Sequence, residues 1–198
     1  MTDVGGWVIR PGDSSMPHLS SMQKLFVYAH SDYKSDWMDV LLSAVARFMI
    51  GTSSGMSYVS YAFGVPIAMT NYLSTSTLYL DCGSLFLPKL LRCRADDEYV
   101  NFRQQMSLPL SIVNSSGMFN NRFGLEVVPN TSEEIRELII VMLEKLDDVV
   151  CYNHEDTGSQ NQFRTITAEM ETLSGLPGVA VPSRIRRNFL ARHKHLLD

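Results

Sequence analysis

The chain has 198 residues, of which 45% are hydrophobic and 19% are charged. This length and composition predict a globular domain with its own apolar core and exclude a disordered chain. Seventeen basic and 21 acidic residues give a formal charge of −4, which disfavours a nucleic-acid-binding protein. The cysteines Cys82, Cys93 and Cys151 have no C-x-x-C spacing, so we expect three reduced thiols and no zinc site.

No segment has the apolar length that a membrane span requires, which is about 20 residues. The most apolar stretch, residues 78–91, is interrupted by charged residues, glycine and proline. The N-terminal residues lack the basic and apolar regions of a signal peptide. The sequence therefore predicts a cytoplasmic protein.

Short apolar runs alternate with helical patterns in the first part of the chain. Strands are predicted over residues 7–10, 25–29, 48–50 and 66–71, and helices over residues 35–47 and 56–63. Ser35 is the expected N-cap of the first helix. Strands that alternate with helices favour an α/β fold with a parallel sheet flanked by helices.

The middle of the chain has a less regular pattern. Residues 72–123 show no consistent period, whereas residues 125–129 resemble a strand. Thr131 and Glu134 form a capping-box pattern ahead of a strongly amphipathic helix.

The C-terminal part is predicted to pack on the same domain. We expect residues 1–152 to form a Rossmann-like nucleotide-binding domain, followed by a polar connector over residues 153–162. Residues 183–198 are expected to be helical, so that residues 153–198 contribute a connector and C-terminal helices.

A small-residue loop follows the third predicted strand and precedes a helix. Its candidate ligand-binding residues are Thr52, Ser53, Ser54 and Gly55. Small residues allow a ligand to approach the backbone closely, and a helix N-terminus favours an anion. The alternative to ligand binding is that Ser53 only caps the next helix. The loop has neither a Walker A nor a G-x-G-x-x-G pattern, which disfavours kinases and dinucleotide dehydrogenases.

Other loops are expected at the same edge of the sheet, because the carboxyl ends of parallel strands meet there. Their candidate substrate-binding residues are Arg10, Gly12, Asp13, His30, Lys34 and Asn71. Cationic side chains around a small-residue loop suit a phosphorylated ligand. Two alternatives stay open: Arg10 and Asp13 could form a local ion pair, and His30 could be a solvated loop residue.

The C-terminal segment is strongly basic. Its cationic residues are Arg184, Arg186, Arg187, Arg192 and Lys194. On an amphipathic helix with Ile185, Phe189 and Leu190 inward, these residues predict contact with an anionic membrane or a partner domain. The alternative is a solvated helix face.

Several motifs in fixed order resemble a group of bacterial glycosyltransferases found among surface-polysaccharide biosynthesis genes. They are GWVIRPGD at 6–13, YAHS at 28–31, KSDWMDV at 34–40, FMIGTSSG at 48–55, FGVP at 63–66, TN at 70–71, NTSEEI at 130–135 and NFL at 188–190. The resemblance covers most of the chain and is weakest over residues 96–111.

The resemblance implies the C-terminal, donor-binding half of a GT-B glycosyltransferase, similar to the heptosyltransferases. Thr52, Ser53, Ser54 and Gly55 would contact the diphosphate of a nucleotide sugar, and Arg10 and Asp13 would also contact the donor. No cofactor and no bound metal ion are expected. The catalytic residues stay unassigned, because the general base of inverting GT-B enzymes usually comes from the other half.

Members of that family are roughly twice as long, as two facing domains require. The resemblance therefore implies that this chain lacks the acceptor domain and also the first strand of the donor domain. It further implies a partner, which is a separate acceptor domain or chain. One alternative is a nucleotide-sugar epimerase or hydrolase, for which Asp13, Asp32 and Asp36 are the nearby carboxylates. Another is a truncated, non-catalytic interaction protein.

Overall fold

The computed structural model of the chain describes residues 5–73, 81, 83–108, 123–173 and 182–198. In chain order the elements are β1 (Val8–Ile9), β2 (Leu25–Phe26), a 3₁₀ turn (Tyr28–His30), α1 (Asp36–Val45), β3 (Met49–Gly51), α2 (Gly55–Ala62), β4 (Ile67–Tyr72), β5 (Leu85–Pro88), β6 (Leu90–Cys93), α3 (Phe102–Ser107), β7 (Leu125–Val128), α4 (Ser132–Leu146), α5 (His154–Leu173), β8 (Arg184–Ile185), α6 (Phe189–Arg192) and a final 3₁₀ turn (Lys194–Leu197).

The main sheet has four parallel strands in the order β3-β4-β5-β8. β1 and β2 form a separate two-stranded parallel sheet, and β6 and β7 pair in antiparallel fashion. The prediction of an α/β fold with a parallel sheet flanked by helices is therefore confirmed, and this arrangement is compatible with a Rossmann-like fold.

The core forms around the two central strands, β4 and β5. α4 packs against both of them, and α5 packs against α3 and the C-terminal turns. The Phe163 ring on α5 lies 5.9 Å from the ring of Phe86 on β5 and 4.9 Å from that of Phe102 on α3, measured between centroids. All three are buried, so this aromatic cluster ties one helical layer to the sheet.

Local signals placed two helix starts correctly. The Ser35 side chain accepts a hydrogen bond of 3.2 Å from the Met38 amide and caps α1. Thr131 and Glu134 form the predicted reciprocal capping box at the start of α4. Both caps satisfy amides that have no partner within the helix.

The prediction of a polar connector over residues 153–162 is wrong. These residues begin α5, where the Asn153 side chain accepts from the Asp156 amide at 2.7 Å. The segment is polar because α5 contributes only a narrow apolar stripe, including Phe163 and Ile166, to the core.

The expected single helix over residues 183–198 is also wrong. The segment begins as β8, turns at Asn188 with a left-handed backbone, and continues into α6 and the 3₁₀ turn. Pairing of β8 with β5 takes precedence over helical propensity, since Ile185 is buried in the sheet. Residues 72–123, which show no consistent period in the sequence, contain β5, β6 and α3.

Two further expectations concern cysteines and membranes. Cys93 and Cys151 are free thiols, while Cys82 lies outside the described residues. In the part of the chain that the structure describes, no helix combines the length and apolar character needed to cross a bilayer.

Candidate functional site

An exposed segment of small residues follows the carboxyl end of β3. Thr52, Ser53, Ser54 and Gly55 are all exposed, and α2 begins at Gly55. Ser54 is the N-cap, with an extended backbone, and its side chain makes no capping hydrogen bond. The alternative in which Ser53 caps the helix is therefore wrong, and the first amides of α2 receive no bond from the cap side chain.

A buried serine on α2 holds this loop in place. The Ser57 hydroxyl donates to the Thr52 carbonyl at 2.8 Å and lies 3.4 Å from the Ser54 hydroxyl. Ser57 is fully buried beneath the loop. The sequence alone does not point to Ser57, because a serine within a short helix carries no distinctive signal.

The two glycines of the loop have different surroundings. A Cβ added to Gly51 would lie 2.4 Å from the Ser57 hydroxyl oxygen, so the packing of Ser57 requires a glycine there. A Cβ added to Gly55 would meet no atom within 4 Å. The space in front of Gly55 is therefore open, and a ligand could reach the backbone of the helix start.

Asn71 occupies a structural position beside the loop. It has a left-handed backbone, and its Oδ1 accepts from the Asn130 amide at 2.9 Å. In return, Asn130 Oδ1 accepts from the Asn71 amide at 2.5 Å, and Asn130 Nδ2 donates to the Pro88 carbonyl at 2.8 Å. Thr70 donates to the Gly51 carbonyl at 3.2 Å and links β4 to the loop. Asn71 and Asn130 together thus fix the carboxyl ends of β4 and β5. The sequence pattern assigns Asn130 no such role.

The predicted residues that follow β1 form a second, self-contained group. Arg10 donates to the Pro17 carbonyl at 2.7 Å rather than to Asp13, so the alternative of an Arg10–Asp13 ion pair is wrong. Gly12 has a φ of 142°, a conformation that L side chains rarely adopt. Asp13 accepts from the Ser15 amide at 2.8 Å, and hydrogen bonding by Ser15 lowers the pKa of Asp13.

His30 and Lys34 complete this group. His30 Nε2 lies 2.9 Å from the Met16 carbonyl, and its ring stacks on His18 with 3.9 Å between centroids. His30 is therefore bonded within the loop rather than simply solvated. Lys34 pairs with Asp39, and that hydrogen bond raises the pKa of Lys34.

The structure thus separates the predicted site residues into two groups. Asp13, His30 and Lys34 lie close enough for the last two to act electrostatically on Asp13. Arg10 adjoins them, since its carbonyl accepts from the Ala29 amide at 3.2 Å. Among the described residues, no hydrogen bond or ion pair joins this group to the loop at residues 51–55. Each polar side chain of the first group already has a partner within the chain, whereas the loop presents exposed hydroxyls.

The basic C-terminal residues are largely engaged by acidic side chains. Arg187 pairs with Glu144 at 2.9 Å, and Lys194 pairs with Glu155 at 2.5 Å. The Arg184 guanidinium lies 3.8 Å from the centre of the Tyr152 ring. These contacts leave little unpaired positive charge on this surface.

Arg186 and Arg192 share one carboxylate on α4. Arg186, with a side chain only 2% exposed, contacts Glu137 at 2.5 Å, and Arg192 contacts both Glu137 oxygens at 3.0 Å. Ile185, Phe189 and Leu190 are buried, as predicted. Arg186 is therefore buried with them rather than projecting into solvent.

Within the described residues, no group of three or more His, Cys, Asp or Glu side chains is arranged to hold a metal ion. Comparison with known proteins gives no relative: no family model, no curated protein and no solved structure matches this chain. Function therefore has to be inferred from the fold and from the two groups of residues.

Proposed function

We propose that the protein binds the diphosphate of a nucleotide-diphosphate sugar at the loop formed by residues 51–55. The observation that carries this proposal is the exposed run Thr52, Ser53, Ser54 and Gly55, between a parallel strand and the start of α2. The first amides of a helix have no partner within it, and together with the positive end of the helix dipole they favour a phosphate there. Hydroxyl donors add to this preference, and open space before Gly55 allows the approach.

In this proposal the chain is a glycosyltransferase, or the donor-binding half of one, with a GT-B-like fold. The support is the parallel sheet flanked by helices together with the resemblance of the ordered motifs. The acceptor would be a surface polysaccharide, at the cytoplasmic face of the inner membrane. A separate acceptor domain or chain would supply the acceptor site and the general base, so this chain alone would bind donor without transferring sugar.

The alternative hypothesis, that the protein is a nucleotide-sugar epimerase or hydrolase, has less support than the glycosyltransferase proposal. Such an enzyme needs an acid and a base in the cleft, and a general acid at neutral pH requires a raised carboxyl pKa. The pKa of Asp13 is instead lowered by hydrogen bonding from Ser15. Membrane contact through the basic C-terminal segment is likewise the weaker part of the proposal, because those residues pair internally.

Calorimetric titration with uridine, guanosine, cytidine and adenosine diphosphates tests donor binding. Gly55→Leu should weaken the binding of the preferred diphosphate by about tenfold or more, because the side chain would fill the space before the loop amides. Gly158→Leu is the matched control, since Gly158 on α5 also has no atom within 4 Å of an added Cβ. Both variants should keep the native circular dichroism spectrum.

Two results would contradict the proposal. One is that none of the four diphosphates binds the native chain, and the other is equal affinity in native protein and Gly55→Leu. Transfer of sugar from any nucleotide sugar by the purified 198-residue chain alone would contradict the part that assigns acceptor and base to a partner.

A further inference from the structure

One side of α5 carries a row of polar residues that lies along β8, the end strand of the main sheet. Asp156, Gln160 and Arg164 follow one another at intervals of four residues, so they share one side of the helix. Their side chains bond to successive backbone groups of the β8 segment: Asp156 and Gln160 accept from the Asn188 and Ile185 amides at 2.8 and 3.0 Å, and Arg164 donates to the Pro182 carbonyl at 3.3 Å. This row therefore closes the free edge of the sheet.

Several donors of this region are left without an acceptor. Gln160 is 1% exposed, and its Nε2 has no hydrogen-bond partner among the described residues. The same holds for three other buried atoms, which are Arg164 Nε, Arg184 Nη2 and the Tyr152 hydroxyl oxygen. Guanidinium and amide nitrogens can only donate, and a phenol can donate as well. Because buried polar groups are normally hydrogen-bonded, this set of donors indicates an acceptor from outside the chain.

Contacts within the chain bring these donors together. The Arg184 guanidinium lies 3.8 Å from the centre of the Tyr152 ring. Gln160 holds the amide of Ile185, the next residue after Arg184 on β8. Burial lowers the pKa of Arg184, and the nearby charge of Arg164 acts in the same direction. The two guanidinium groups are therefore close enough to repel each other.

The chain does not balance this positive charge. Neither Arg164 nor Arg184 forms an ion pair with a carboxylate of the described residues. Those residues include every Asp and Glu of the sequence except Asp3. Asp156 attracts Arg184 from beyond ion-pair distance, and one of its oxygens already accepts from the Asn188 amide. Half-buried arginines are normally paired, so this pair lacks an anion.

We propose that a phosphate group binds between the guanidinium groups of Arg164 and Arg184. Gln160 Nε2 and the Tyr152 hydroxyl would be further donors to its oxygens. Guanidinium groups favour phosphate, and donors on α5, on β8 and on the segment before α5 suit a tetrahedral anion better than a planar carboxylate. β8 and β3 are the opposite end strands of the main sheet, so this site is separate from the loop at residues 51–55. The inference therefore does not depend on the proposed donor binding.

Nuclear magnetic resonance of the full chain with ¹⁵N-labelled arginine tests the site. The probe is inorganic phosphate at neutral pH, with the ionic strength held constant by chloride. The Nε–H signals of Arg164 and Arg184 should shift and reach saturation. Arg136, whose pair with Glu133 is exposed, is the internal control and should shift little. Gly55→Leu blocks the loop at residues 51–55 and should leave the response of Arg164 and Arg184 unchanged.

Substitutions provide a second readout on the protein. Arg184→Gln should weaken phosphate binding, followed at the Arg164 signal, by about tenfold or more, because one of the two charges is lost. Arg136→Gln is the matched control and should bind phosphate as the native chain does. Should Arg184→Gln unfold, Arg164→Gln followed at the Arg184 signal makes the same comparison, and the titration of the native chain stands by itself.

Four results would overturn the proposal. The first is no saturable shift at Arg164 and Arg184, or an equal shift at Arg136, which would show only non-specific attraction. The second is equal phosphate affinity in the native chain and Arg184→Gln. The third is saturation of the same signals by acetate at equal concentration, which would exclude selection of a tetrahedral anion. The fourth is loss of the response in Gly55→Leu, which would assign the effect to the loop at residues 51–55.

Discussion

Neutralising Glu137 should destabilise the protein far more than neutralising another glutamate of the same helix. Glu137 is the carboxylate in direct contact with Arg186, whose side chain is 2% exposed. Burial already lowers the pKa of Arg186, and among the described residues its buried Nε and Nη2 atoms have no hydrogen-bond partner. Glu137→Gln keeps the side-chain volume but leaves this guanidinium without its counterion.

The magnitude follows from the burial of the two partners. Removing one member of a buried ion pair costs about 3–5 kcal/mol, because the remaining charge stays desolvated. Glu137 is itself 26% exposed, so solvent screening reduces the expected loss to about 2–4 kcal/mol. The control is Glu133→Gln, whose pair with Arg136 is 65% and 67% exposed and should contribute less than about 1 kcal/mol.

Urea unfolding followed by circular dichroism measures both variants, and its pH dependence adds a second check. Hydrogen bonding by Arg192 lowers the pKa of Glu137 from 4.5, so its stabilising contribution is complete above pH 4.5. That contribution is lost as the pH falls through the lowered pKa, and the difference between native protein and Glu137→Gln should shrink there. Equal losses for Glu137→Gln and Glu133→Gln at pH 7 would refute the reasoning.

Three other substitutions test contacts of the site and of the C-terminal turn. Gly51→Ala should lower the free energy of unfolding by about 1–3 kcal/mol, because the added Cβ clashes with Ser57. The double variant with Ser57→Ala should recover part of that free energy, and no recovery in urea titrations would exclude the clash. Asn130→Ala should cost about 2–3 kcal/mol, because backbone groups at the ends of β4 and β5 lose their partners, and an unchanged unfolding midpoint would contradict this. Burial lowers the pKa of His193 below 6.5, so native stability should fall as the pH drops below that value. His193→Gln should flatten this dependence in thermal unfolding, and an unchanged pH dependence in that variant would contradict the reasoning.

The sequence by itself determined the elements whose signals are local. Apolar runs and caps predicted β3, β4, α1 and α4, because a strand or helix start depends on residues within a few positions. Ser35 and Thr131 act as the predicted caps for this reason. The small-residue loop after β3 was likewise recognisable from composition and position alone.

Only the tertiary structure decided how polar groups are shared between distant segments. Arg186 belongs to an apparently exposed basic segment, yet pairing of β8 with β5 buries it against Glu137, 49 positions earlier in the numbering. Asn71, predicted to contact ligand, exchanges hydrogen bonds with Asn130 instead. Local patterns cannot encode such pairs, because the partners meet only after the chain has folded. The same reason explains why the sequence of α5 resembles a polar connector. Half of its residues are exposed, and three of its five buried residues, Asp156, Gln160 and Thr167, are polar. Its few apolar residues stabilise the helix only by packing in the folded protein.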